Sequence, residues 1–216
     1  MNVKDIPIII NTFNRLTCLR DLINFLETSE TTNIIILDNN STYPPLLEYF
    51  ETLSYEKIRL NQNLGHEALW KSGHIKRFKR SHYVLTDPDV VPIEECPANF
   101  MQHFYNLMQK FPQYKKVGFS LKIDDIPDNF IHKSSVIAWE GQYWKEKVGP
   151  YGWKAPIDTT FALFHPSQPG PWEWAIRTGY PYIARHTTWY QDSYNLSDED
   201  KYYNQTVKGI THWSGK

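Results

Sequence analysis

Ile6-Pro7-Ile8-Ile9-Ile10-Asn11 is a continuous apolar run that stops at the polar residues Thr12, Asn14 and Arg15. A run this short, with no polar alternation, is the pattern of a strand covered on both faces, as parallel strands are. A helix pattern begins where it stops. From Asn14-Arg15 onward, Leu16, Leu19, Leu22, Ile23 and Leu26 fall on one face. The alternation then repeats. Ile34-Ile35-Ile36-Leu37 reads as a second buried strand, ended by the turn and cap formers Asp38-Asn39-Asn40-Ser41-Thr42. Tyr43 to Leu53 reads as a helix with Pro44 and Pro45 in its first turn. Ile58-Arg59-Leu60 is a short strand, His66 to Lys79 a helix, Ser81 to Thr86 a strand, Pro97 to Phe111 a helix and Val117 to Leu121 a strand. This order predicts an α/β fold with an open, mostly parallel sheet flanked by helices.

The 216 residues fit a single compact domain, and 41% hydrophobic with 22% charged residues is a globular composition. Net charge is −1, and the one basic cluster is Lys76-Arg77-Phe78-Lys79-Arg80. Such a pentad is a solvated helix end that could meet phosphate or an anionic membrane surface, and nothing points to nucleic acid as a partner. Cys18 and Cys96 form no CxxC pair and read as plain thiols in a reducing compartment. No apolar run has membrane-spanning length, and the first residues lack the apolar core of a signal peptide. The expectation is a cytoplasmic protein that could touch the inner face of a membrane.

In open α/β sheets ligands lie beyond the carboxyl ends of the strands. Four polar loops fall there: Thr12-Phe13-Asn14, Asp38-Asn39-Asn40, Asn63-Leu64-Gly65 and Asp87-Pro88-Asp89. The last is the most informative. Pro88 prevents ladder pairing, so two carboxylates stand at the end of a buried strand. They repel unless a cation or a donor-rich ligand lies between them, and Mg²⁺ or Mn²⁺ favours oxygen ligands of this kind. Alone, a D-x-D is more often a solvated turn. His66-Glu67-Ala68-Leu69-Trp70 lacks the second His of a zinc-protease motif, and there is no Gly-rich phosphate loop.

Taken together, Ile8-Ile9-Ile10-Asn11-Thr12-Phe13-Asn14-Arg15, Leu37-Asp38-Asn39-Asn40-Ser41-Thr42, Asn63-Leu64-Gly65 and Asp87-Pro88-Asp89 resemble a nucleotide-sugar glycosyltransferase of the GT-A fold, nearest to the family-2 type. The match covers roughly the first 90 residues. The resemblance implies a nucleotide-binding half at 1–91 and an acceptor-binding half at 92–216. It implies transfer from a nucleotide sugar, a UDP-sugar above others, to a saccharide or glycolipid acceptor, with inversion. Asp38 would accept the N3–H of the base, Thr12 and Asn14 would hold base and ribose beside Arg15 and Asn63, and Gly65 would let the backbone approach the nucleotide. Asp89 would bind Mn²⁺ or Mg²⁺ directly and Asp87 would reach the ribose or a metal-bound water. A third metal ligand would be His186, with His212 the alternative, and Arg185 would neutralise the diphosphate. Asp158, read as starting an apolar strand within Ala155 to Leu163, is the candidate general base and Asp125 its competitor. Two departures stand out: Asn39 replaces a second Asp, and the acceptor half shows no plain Glu-Asp pair. The other classes are a nucleotidyltransferase, which needs a Gly-rich N-terminal signature although no Gly precedes Gly65 here, and a non-catalytic nucleotide- or carbohydrate-binding domain.

Overall fold

The uninterrupted apolar runs form strands buried on both faces: every residue of β1 (Ile8–Thr12) and β2 (Ile34–Asp38) is shielded from solvent. The computed structural model describes residues 2–167 and 173–208. After β1 come α1 (Thr17–Thr28), β2, α2 (Pro44–Thr52), β3 (Glu56–Arg59), α3 (Ala68–Lys71), α4 (Ile75–Phe78), β4 (Tyr83–Thr86) and β5 (Val90–Pro92). The chain continues through α5 (Phe100–Lys110), β6 (Lys116–Leu121), α6 (Lys133–Glu140), β7 (Gly152–Ile157), β8 (Ala162–Phe164), β9 (Glu173–His186) and α7 (Asp198–Thr206).

One sheet runs in the order β3-β2-β1-β4-β8-β6-β9-β5, with β7 also paired to β9. The first four strands are parallel, as the alternating pattern predicts. Beyond them the sheet is mixed. The crossover through α5 returns β6 in the direction of β4, but β8 lies between the two and antiparallel to both. β9 is parallel to β6 and antiparallel to β5 and β7.

Successive strand residues feed opposite faces. Ile8, Ile10, Ile34 and Ile36 join α1, α2 and α5 in one core, through Leu19, Leu22, Leu46, Phe100 and Phe104. Ile9, Ile35, Leu37 and Leu85 join Leu69, Phe78 and Tyr83 in the other.

Three boundaries differ from the sequence reading. The helix expected over His66 to Lys79 is two short ones, α3 and α4, because Gly73 takes φ +78° between them. The first helix starts at Thr17, since Asn14 takes φ +50°, outside the helical region. The apolar run 155–163 is split into β7 and β8, so Asp158 sits on the connecting loop and does not start a strand.

Candidate functional site

A cavity of about 850 Å³ opens at the carboxyl ends of the parallel strands. Thr12 at the end of β1 and Phe13 after it, Asn39 after β2, Asn63 to Gly65 after β3 and Asp87 to Asp89 after β4 line it. The loop from Asp158 to Thr160 and His186 line it as well, next to Asp87 and Asp89.

Asp87 and Asp89 both face the cavity. Desolvation by the surrounding protein, and then the neighbouring Asp89, push the Asp87 carboxyl well above the usual range, although the Thr159 hydroxyl donates to its Oδ2 at 2.8 Å. Register explains why His186 is near: Val90, next to Asp89, pairs with His186 across β5 and β9. His186 Nδ1 lies 3.5 Å from Asp89 Oδ2 and 2.8 Å from Thr188 Oγ1, and its ring stacks on Trp189 at 4.5 Å. Among the described residues no three His, Cys, Asp or Glu side chains converge on a metal position. The donor set nevertheless suits a hard divalent ion. Two carboxylates on one wall, one of them disfavoured as an anion, are what Mg²⁺- or Mn²⁺-type sites share with substrate phosphates. His212 lies outside the described residues.

Three amide side chains, Asn11, Asn39 and Asn63, stand in the wall formed by the first strands. Asn39 Oδ1 accepts from Leu64 N at 2.7 Å and its Nδ2 donates to Gly65 O at 2.9 Å, which fixes the Asn63–Gly65 loop. Asn11 donates to the same carbonyl at 3.2 Å, and Gly65 itself takes φ +75°. The buried Asn11 Oδ1 and Thr12 Oγ1 have no partner among the described residues. Arg15 reaches the cavity wall, ion-paired with Asp200 and lying 3.8 Å from the Tyr203 ring centre.

Asn14 and Asp38 are buried but do not line the cavity. Asn14 Oδ1 accepts from Thr42 N and Tyr43 N at 2.7 and 2.9 Å, so it caps the turn into α2. Asp38 Oδ1 accepts from Ser41 N at 2.8 Å and its Oδ2 lies 3.6 Å from Arg59 Nε. The cavity-facing position after β2 belongs to Asn39, where the resemblance leads one to expect an acid.

Asp158 lines the cavity and its Oδ1 accepts from Thr160 N at 3.1 Å. Asp125 and Arg185 do not line it, because they hold each other. Burial alone would raise the Asp125 carboxyl, but Arg185, the Tyr190 hydroxyl at 2.5 Å and Lys122 at 3.5 Å outweigh it and hold it below the usual range.

Sequence reasoning missed an ion pair and a helix. Glu140, at the end of α6, pairs with Arg177 of β9 inside the cavity wall, and both side chains are 4% exposed. Burial raises the Glu140 carboxyl despite Arg177, and the Tyr143 ring covers the guanidinium at 4.3 Å. No local pattern marks these two, since neither belongs to a motif. The helix α7 did carry a signal, the capping box Ser197-Asp198-Glu199-Asp200, whose reciprocal bonds are formed. α7 brings Tyr203 and Asn204 to the cavity, and its Glu199 accepts from Leu16 N and Thr17 N at the start of α1.

No family model matches the chain, and no curated protein matches it. Among solved structures it is similar to residues 1–349 of TarS from S. aureus, at 13% identity and a TM-score of 0.45, over 75% of this chain and 47% of that one. It is also similar to glucosyl-3-phosphoglycerate synthase from Mycobacterium tuberculosis, in complex with Mn²⁺, uridine-diphosphate-glucose and phosphoglyceric acid, at 13% identity and a TM-score of 0.45. That match covers 74% of this chain and 56% of the synthase, so the chain spans about half the length of either structure.

Proposed function

We propose that the chain is a metal-dependent glycosyltransferase that moves a sugar from a nucleotide sugar, a UDP-sugar above others, to a saccharide or glycolipid acceptor with inversion. The observation that carries this reading is the meeting of Asp87, Asp89, Asp158 and the Asn63–Gly65 loop on one cavity beyond the parallel strands. Open α/β sheets place ligands at that edge, and about 850 Å³ is the volume of a small-molecule site.

In this reading the 1–91 half holds the donor through Thr12, Arg15, Asn39, Asn63 and Gly65, and the 92–216 half holds the acceptor. Asp87 and Asp89 hold Mn²⁺ or Mg²⁺, with His186 the nearest further ligand. When bound, the ion would neutralise charge that grows on the departing diphosphate. Asp158 takes the proton of an acceptor hydroxyl, the freed oxygen bonds to the anomeric carbon, and the bond to the diphosphate oxygen breaks with its electron pair. Asp158 is favoured over Asp125 because only Asp158 faces the cavity. Asp38 supports the donor wall through its turn, and Arg185 supports Asp125. No described helix is long and apolar enough to cross a membrane. The reading places the protein in the cytoplasm, with exposed Ile131, Ile137 and Trp139 as its contact with a membrane that carries a lipid-linked acceptor.

The test is a thermal-shift panel of UDP, dTDP, GDP and ADP and their sugars, with and without Mn²⁺, followed by donor hydrolysis. At a hundredfold excess over Kd a ligand stabilises the native state by about 2.7 kcal/mol. Stabilisation by a UDP-sugar that needs Mn²⁺, with slow hydrolysis, is expected. Binding with no turnover on any donor or acceptor would make it a non-catalytic domain, and no nucleotide response would end the reading.

A further inference from the structure

The loop that carries Asp158 is held from beneath by two buried cations. Lys116, the first residue of β6, is fully buried and donates through Nζ to Ile157 O at 2.7 Å and to Asp158 O at 2.5 Å. Arg177 Nε donates to Pro156 O at 3.0 Å while the same guanidinium pairs with Glu140. Three consecutive carbonyls, those of residues 156, 157 and 158, therefore point at two cations from β6 and β9.

Fixing three carbonyls in a row fixes the backbone from the end of β7 into the loop, and with it where the next side chains go. Asp158, Thr159 and Thr160 all line the cavity. The Thr159 hydroxyl donates to Asp87 Oδ2 at 2.8 Å, and Thr160 N donates to Asp158 Oδ1 at 3.1 Å. One short loop thus touches Asp87 and presents Asp158, the one cavity-lining Asp among the described residues of the 92–216 half. Taking an ammonium out of water is costly unless its bonds repay it. Here two of its bonds go to backbone carbonyls of that loop, and charge-assisted bonds are the strong kind.

We propose that Lys116 is a positioning residue of the site, holding the 156–158 carbonyls together with Arg177 so that Asp158 and Thr159 keep their places opposite Asp87. This rests on the catalytic reading given above. Lys116 is not one of the residues that line the cavity and acts on it through the loop. Its removal should therefore leave nucleotide affinity in place and lower the rate of the step that Asp158 serves.

The experiment compares the parent with Lys116→Met and Lys116→Gln by two readouts. The first is amide hydrogen exchange of peptides covering residues 156–161, with β1 and β4 as internal reference. The second is kcat and KM on the donor that the parent turns over fastest with Mn²⁺, beside the Kd of UDP with Mn²⁺. Lys116→Met should exchange at least about tenfold faster in 156–161 with β1 and β4 unchanged, and its kcat should fall at least about tenfold with Kd within about twofold. Lys116→Gln, which keeps a donor but no charge, should move both readouts the same way by less. Parent-like exchange and kcat in a folded variant would overturn the proposal, as would faster exchange with unchanged kcat in an active enzyme. If Lys116→Met does not fold, Lys116→Gln decides by the same criteria; if neither folds, Lys116 serves the fold as a whole and the proposal fails. A parent that turns over no donor ends the catalytic reading alone, and the exchange readout then decides whether Lys116 orders the loop.

Discussion

Asp125 and Asp158 are both carboxylates on short turns after strands, and their surroundings separate them. Asp125 is occupied by Arg185, Tyr190 and Lys122, whereas Asp158 faces the cavity and, among the described residues, has the Thr160 amide on one oxygen. Asp158→Asn should keep nucleotide and Mn²⁺ affinity within about twofold and lower kcat by about 10²–10⁴-fold, the cost of losing a general base. Steady-state kinetics beside calorimetry checks this; a large kcat loss in Asp125→Asn alone would move the role there. Asp89→Asn should remove the Mn²⁺-dependent part of nucleotide stabilisation and leave the melting temperature without ligand unchanged, since its side-chain partners are Thr188 and His186 at the surface of the cavity. Unchanged metal dependence in that variant would end the D-x-D reading. Of the residues readable in advance, Thr12, Asp87 and Asp89 sit at or beside strand ends, and the strand order brings them to the cavity, whereas Gly65 lies on the loop after β3 that Asn39 and Asn11 hold in place. Asn14 and Asp38 sit at strand ends too, but local capping bonds to Thr42, Tyr43 and Ser41 turn them into the scaffold. Glu140 and Arg177 are a tertiary pairing, and no spacing in the chain announces one.

At the scale of elements, apolar runs were decisive where burial is two-sided, as in β1 and β2, and the helical stripe where one face is buried, as in α5. They failed where a single residue breaks a pattern, as Gly73 does between α3 and α4. They also failed beyond β6, because β8 is three residues long and takes its place from the gap between β4 and β6. That gap is tight. A Cβ on Gly118 of β6 would stand 2.4 Å from Phe161 O and 2.7 Å from Ala162 Cβ, which are backbone and core atoms of β8 and the loop before it. Gly118→Ala should destabilise by about 1–3 kcal/mol, as overpacking does. Gly141→Ala, whose Cβ meets nothing within 4 Å, should change stability by less than about 0.5 kcal/mol. Urea titrations of the two compare them directly, and equal midpoints would mean that β6 and β8 can part without cost. A second contact joins distant elements: Asp200 of α7 holds Arg15, with the two side chains 14% and 11% exposed. Asp200→Ala leaves that guanidinium without its carboxylate and should cost toward the lower end of the about 3–5 kcal/mol for breaking a buried pair, read by the same titration.

For the whole molecule, three histidines set a direction for stability against pH. Burial holds His82, His103 and His165 below their ordinary value, with His165 adding to the effect on His82 and Lys115 to that on His165. The unfolded chain therefore takes up these protons first, near pH 6.5. Their contribution is complete above that value and is lost as the pH falls through it towards the lower folded values. The raised carboxyls of Asp87 and Glu140 act in the opposite sense, so the histidine part is isolated by difference. Between pH 7.5 and about 5.5 the parent should lose more stability than a His82→Gln/His165→Gln variant; parallel curves would remove the histidines from the account. The insertion of β8 also matters while the protein is being made. β4 can pair with β1 only once Thr86 has emerged, and its other edge then lacks its partners until Leu163 and Phe164 follow. At the ~5–20 residues per second of synthesis, that leaves Tyr83-Val84-Leu85-Thr86 as an open apolar edge for several seconds. Soluble yield should accordingly depend on how fast the ribosome crosses residues 87 to 164, and chaperones that mask strand edges should help this chain more than chaperones that act on released protein.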